Sequence, residues 1–97
     1  MNKEVKRIFS DIHGEFANYQ TAIASVLSAY RRDLEAAKRI QVPPQQCAVF
    51  EDITQGIRGA KAADCLAVAV YDSANRGQWD QTKALADLSI RSFEELL

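Results

Sequence analysis

Two adjacent carboxylates, Glu51 and Asp52, end an apolar run and are the residues of this sequence best suited to chemistry. The run before them, residues 47–50, has the composition of a strand, and a Gly- and Ala-rich segment typical of a helix follows at residues 55–63. A second apolar run, residues 66–71, comes next. This order predicts a parallel crossover unit, in which charges at strand ends lie where such sheets bind ligands. Adjacent carboxylates favour a hard divalent cation such as Mg²⁺.

A third carboxylate, Asp11, follows another strand-like segment, residues 5–10. The carboxyl ends of neighbouring parallel strands face one crevice, so Asp11 joins Glu51 and Asp52 around one ion if their strands are neighbours. Such an ion would neutralise a phosphate group and orient it for attack. The alternative interpretation is that Glu51 and Asp52 only stabilise the start of the following helix, where acidic residues are favoured.

The rest of the pattern alternates between strand and helix. Apolar residues recur every three or four positions from about Asn18 to Ile40, which indicates one long helix, or two that break near Asp33. Asp64 stands where the helix at 55–63 would end on a residue with left-handed backbone conformation, usually a glycine. The predicted fold class is α/β, a small three-layer Rossmann-like parallel sheet of about four strands in one domain. The predicted segments are strands at 5–10, 48–51, 67–71 and 88–90, helices at 55–63 and 79–86, and a capping box at 92–95.

Composition excludes several classes of function. Hydrophobic residues make up 47% and charged residues 26% of the 97 residues, as in ordinary globular proteins. A net charge of −1 leaves no basic footprint for nucleic acid. No apolar stretch approaches the roughly 18 residues that cross a bilayer, so we expect a cytoplasmic protein without membrane partners. Cys47 and Cys65 stand at the edges of apolar runs and are interpreted as small hydrophobic residues, not zinc ligands.

An ordered series of segments in residues 33–97 carries a family resemblance. The segments are Leu34-Glu35-Ala36-Ala37-Lys38-Arg39, Val42-Pro43-Pro44, Val49-Phe50-Glu51-Asp52, Gly56-Ile57, Ala60-Lys61-Ala62-Ala63, Val68-Ala69-Val70-Tyr71-Asp72, Ala86-Asp87 and Ser92-Phe93-Glu94-Glu95-Leu96. This series resembles the C-terminal part of a haloacid-dehalogenase-like (HAD) phosphatase of the beta-phosphoglucomutase-like branch. The resemblance implies a truncated HAD-type core in which Glu51 and Asp52 bind Mg²⁺, and a small phosphorylated metabolite as substrate. Asp64 departs from the glycine that the family usually has.

The segment Ser10-Asp11-Ile12-His13-Gly14 resembles two families. HAD phosphatases begin with a strand ending in Asp-x-Asp-Gly, which implies that Asp11 is the nucleophile and places His13 at the position of the acid–base aspartate. Residues 7–24 also resemble the start of calcineurin-like metallophosphoesterases, including one type of fructose-1,6-bisphosphatase. Their Ser-Asp-Ile-His-Gly segment binds a two-metal centre, so the alternative assigns Asp11 and His13 to metal binding, with Mn²⁺ as the alternative ion.

Parts of a complete HAD phosphatase are missing between Asp11 and Asp33, where only one helix fits. The family also has a phosphate-binding Ser or Thr, a phosphate-binding Lys and a helical cap domain. We therefore expect weak activity or none. A third hypothesis is a catalytically inactive fragment that serves as a binding or oligomerising module. Missing core strands would leave an open sheet edge, through which a homodimer is expected.

Overall fold

The computed structural model describes residues 19–97, with side chains from residue 24 onward. The predicted strand at residues 5–10, Asp11 and His13 lie outside the described residues. The elements in chain order are α1 (Tyr19–Ile40), a 3-10 helix (Pro44–Gln46), β1 (Ala48–Glu51), α2 (Thr54–Ala62), β2 (Leu66–Val70), a 3-10 helix (Ser73–Gln78), α3 (Trp79–Leu85), β3 (Leu88–Ile90) and a 3-10 helix (Phe93–Leu96).

The three strands form one parallel sheet in the order β1-β2-β3. Phe50 pairs with Val68, and Val68 pairs with Leu88. A helix connects each strand to the next, as parallel pairing requires. The predicted α/β class and its parallel sheet are confirmed, with three strands in the described part of the chain.

Helix α1 is continuous over 22 residues, so the single-helix alternative is right. Its end has a local cause. Gln41 adopts a φ of 60°, and the Val42 N–H donates to the Ala37 carbonyl at 3.1 Å, which together close the helix. Pro43 and Pro44 then prevent any continuation. No helix in the described residues is long and apolar enough to cross a membrane.

The α-helices of residues 19–97 all pack on one face of the sheet. The core there joins buried residues with half-buried ones from every helix: Tyr30, Leu34, Cys47, Val49, Ile57, Ala60, Ala63, Cys65, Ala67, Ala69, Trp79, Leu85 and Ala86. Most of the fully buried members are alanines, which let α2 approach the sheet closely. The described elements therefore make two layers, a sheet and one layer of helices.

The opposite face of the sheet is apolar and partly open. Side chains alternate along a strand, so Phe50, Leu66 and Leu88 project away from the helices. These three side chains are 40%, 41% and 56% exposed. Phe93, from the last 3-10 helix, stacks against Phe50 with ring centroids 5.4 Å apart. We call this surface the open sheet face.

Candidate functional site

The tips of β1 and β2 lie at the carboxyl edge of the sheet. Glu51 ends β1 and Asp52 follows it, while Asp72 follows β2. The Asn75 amide donates to Asp52 Oδ2 at 2.8 Å, which links the two tips. The Asp72 carboxylate instead accepts from the Ala74 N–H at 2.9 Å and starts the 3-10 helix. Carboxylates that follow two neighbouring strands thus lie at one edge of the sheet, although Asp72 was not among the predicted ligands.

Glu51 turns toward the helices and forms an ion pair. Its Oε1 accepts a hydrogen bond of 2.7 Å from Arg32 of α1. Burial raises the pKa of the Glu51 carboxyl, Arg32 acts in the opposite direction, and the nearby Asp33 and Asp52 carboxyls add to the rise. Because Oε1 is engaged by Arg32, a metal ion at Glu51 would share this carboxylate with a guanidinium, whose charge opposes binding of a second cation.

Gly56 lets the Glu51 carboxylate lie against the first turn of α2. A Cβ at residue 56 would stand 2.4 Å from the Cδ and Oε2 atoms of Glu51, well inside van der Waals contact. The side chain at position 56 must therefore be a hydrogen atom if Glu51 is to reach Arg32 in this way. In the sequence, Gly56 is notable only as part of the family resemblance, and nothing there indicates its contact with Glu51.

A cleft of about 390 Å³ opens beside this ion pair, between α1 and the start of α2. Its polar groups come from two hydroxyls, an amide, a guanidinium and a carboxylate. The lining residues are Ala24, Ser25, Ser28, Ala29, Arg32, Glu51, Ile53, Gln55 and Gly56. The cleft can accept a polar ligand, although the charge of its one cation is balanced by Glu51.

Thr54 does not face this cleft. Its hydroxyl is buried and lies 3.0 Å from the hydroxyl of Thr82 in α3. The Thr54 N–H donates to Gln78 Oε1 at 3.2 Å. These bonds attach the start of α2 to α3 and fix the position of the loop that carries Asp52.

The two predicted metal ligands in the described part of the chain have different partners. Glu51 contacts α1 and Asp52 contacts Asn75, and Asp11 lies outside the described residues. Between residues 24 and 97, no group of three or more His, Cys, Asp or Glu side chains is arranged to hold a metal ion. The described residues therefore do not form a magnesium site on their own, and Asp52 is the better ligand of the pair because it has no cationic partner in the contacts described.

Comparison with known proteins adds no relative. No protein-family model, curated protein or solved structure matches this chain. The HAD-like and metallophosphoesterase-like resemblances therefore stay predictions that depend on the sequence segments quoted above.

Two site residues were missed by sequence reasoning. Arg32 lies within the long predicted helix and Asn75 between two predicted segments, and neither is among the candidate residues. Each contacts a carboxylate that is distant in sequence, 19 residues away for Arg32 and 23 for Asn75. No local pattern signals such pairs, because they depend on how α1 and the loop after β2 are placed on the sheet.

Asp33 should make stability fall as pH rises through the carboxyl range. The residue is 7% exposed, and its Oδ2 has no hydrogen-bond partner among the described residues. Burial raises its pKa, while Arg32, 3.6 Å away, acts in the opposite direction. The folded state thus holds this proton more tightly than the unfolded state, so stability is fully present below the unfolded pKa and is lost as pH rises through the folded one.

Urea unfolding between about pH 3.5 and 6.5 would measure this loss. We expect wild-type protein to lose stability relative to Asp33→Asn as pH rises. Asp80→Asn is the matched control, because the Asp80 side chain is fully exposed. If the unfolding free energies of wild type and Asp33→Asn change with pH in parallel, ionisation of Asp33 does not destabilise the folded protein.

Proposed function

We propose that this chain is a truncated HAD-like phosphatase core. It would depend on magnesium and act on a small phosphorylated metabolite. The observation that carries the proposal is the place of its acidic pair. Glu51 and Asp52 stand at the carboxyl edge of a parallel sheet, beside the tip of the next strand, where open α/β sheets bind their ligands. The missing phosphate-binding and cap residues make weak but measurable hydrolysis the expected result.

The topology supports Asp11 as the third acidic group. Helix α1 precedes β1 and packs on the same face of the sheet as α2. Because crossovers are right-handed, a strand before α1 would lie beside β1, on the side of β1 that faces away from β2. That strand is the fourth of the predicted sheet, and its tip would bring Asp11 close to Asp52. In this proposal Asp11 is the nucleophile and His13 the acid–base group.

The proposal assigns Mg²⁺ to Asp52 together with Asp11. The ion would neutralise charge on the phosphate oxygens. Asn75 would hold the Asp52 carboxylate in place through its amide, and Arg32 would balance the charge of Glu51. Glu51 stays the third proposed ligand, and it would share its carboxylate between the ion and Arg32.

A second candidate function is a catalytically inactive binding or oligomerising module. The open sheet face favours it, because Phe50, Leu88 and Phe93 expose apolar surface that a monomeric domain usually covers. The free edge of β1 in the described sheet offers a second surface for a homodimer.

Hydrolysis of an aryl phosphate with Mg²⁺ or Mn²⁺ distinguishes these functions. For the HAD-like phosphatase, we expect Asp11→Asn and Asp52→Asn each to lower the rate by about a hundredfold or more, with Asp80→Asn unchanged. Loss of activity in His13→Ala but not in Glu51→Ala, with Mn²⁺, would instead support a metallophosphoesterase. Wild-type protein without hydrolysis above background, with either ion, would support the inactive module.

A further inference from the structure

The two cysteines lie side by side where β1 and β2 begin. Ala48 pairs with Leu66, and the Leu66 N–H donates to the Cys47 carbonyl at 2.8 Å. One step back along both strands, Cys47 therefore stands opposite Cys65. Adjacent strands are roughly 4.8 Å apart, within the range of about 4.4–6.8 Å between the Cα atoms of disulfide-bonded cysteines.

Both side chains project toward the same layer of the protein, because register partners share a face of the sheet. Cys65 belongs to the buried core and Cys47 packs against that core. The Cys47 Sγ lies 3.5 Å from the Pro43 carbonyl and 3.8 Å from the Val42 carbonyl. Thiols are weak donors, so rotation of the Cys47 side chain toward Cys65 loses little hydrogen-bond energy.

The two thiols differ in accessibility. Cys47 is half-buried and lines an open cleft of about 240 Å³ with Gln45, Gln46 and Leu66. Cys65 is buried, and burial raises the pKa of its thiol. A small oxidant can therefore reach Cys47 first, and Cys65 is placed to react second.

We propose that Cys47 and Cys65 are an oxidation site at which a small-molecule disulfide forms an intrachain bridge. The Cys47 thiolate attacks one sulfur of that disulfide, and its other half leaves as a thiol. The Cys65 thiolate then attacks the Cys47 sulfur and releases the second half as a thiol. Two protein thiols are oxidised and one external disulfide is reduced, so atoms and electrons balance. This site is separate from the proposed phosphatase function.

Treatment of the folded full-length chain with oxidised glutathione tests the proposal by intact-mass spectrometry. We expect a product lighter by two hydrogen atoms, without bound glutathione, that dithiothreitol converts back. Cys65→Ser should keep one glutathione on Cys47. With a chromogenic disulfide reagent it should react about tenfold faster than Cys47→Ser, which keeps only the buried thiol.

Three results would overturn the proposal. They are a stable glutathione adduct on Cys47 of the folded wild-type chain, a disulfide between two chains, and no oxidation at all. The same reaction in concentrated urea is the control for the fold. If the internal bridge forms there as readily as in the native protein, strand register does not bring the thiols together.

Discussion

Ile57→Ala should lower the free energy of unfolding by about 3–4 kcal/mol, the largest effect of any single substitution considered. Ile57 is fully buried at the centre of the core. Its neighbours Ala60, Ala63 and Ala67 have no spare rotamers with which to fill the space that a removed isoleucine leaves. The loss of unfolding free energy should therefore lie near the middle of the range for large-to-small core substitutions.

Urea unfolding followed by circular dichroism measures this loss. Ile40→Ala is the matched control, since Ile40 at the end of α1 is 63% exposed. We expect that variant to stay within about 0.5 kcal/mol of wild type. Equal losses at the two positions would contradict the assignment of Ile57 to the core.

Gly59→Ala should cost about 1–2 kcal/mol, because α1 and α2 touch at this glycine. A Cβ at residue 59 would lie 2.4 Å from the Cβ of Ala29 and 2.9 Å from the backbone nitrogen of Tyr30. Relief requires the two helices to separate, which costs about 1–3 kcal/mol or more for an overpacked core. Alanine regains up to about 1 kcal/mol through its better helix propensity, so the net loss is smaller than the steric term.

Gly77→Ala is the control for Gly59→Ala. Among the described residues, a Cβ at residue 77 meets no atom within 4 Å and no glycine has a positive φ. Its stability should match wild type or rise slightly, because alanine restricts the unfolded chain. A Gly59→Ala protein that is as stable as Gly77→Ala would show that α1 and α2 are not in close contact.

Local signals in the sequence were sufficient for the strands and α-helices of the described residues. β1 and β3 have the predicted bounds, and β2 is shifted by one residue. Asp64 has a φ of 65°, and the Cys65 N–H donates to the Ala60 carbonyl, so the predicted left-handed cap of α2 is confirmed. The capping box of Ser92 and Glu95 is also present. Each of these features depends on residues within five positions of one another.

Contacts between distant residues could not be predicted in the same way. The sequence identified Glu51 and Asp52 as the acidic tip of a strand, and the structure places them there. It gave no sign that Glu51 would turn to Arg32 while Asp52 turns to Asn75. Successive residues of a strand point to opposite faces, so an adjacent pair at a strand end is easily divided between two partners.

We propose that the carboxyl edge of the sheet near Asp52 binds a divalent cation. The most direct test is a titration of the isotopically labelled protein with Mn²⁺, followed by the paramagnetic broadening of its amide signals. We expect broadening centred on Asp52 and Asn75, reversed by excess Mg²⁺ and lost in Asp52→Asn. Broadening centred elsewhere, for example on Glu94 and Glu95, or no broadening at all, would contradict the account.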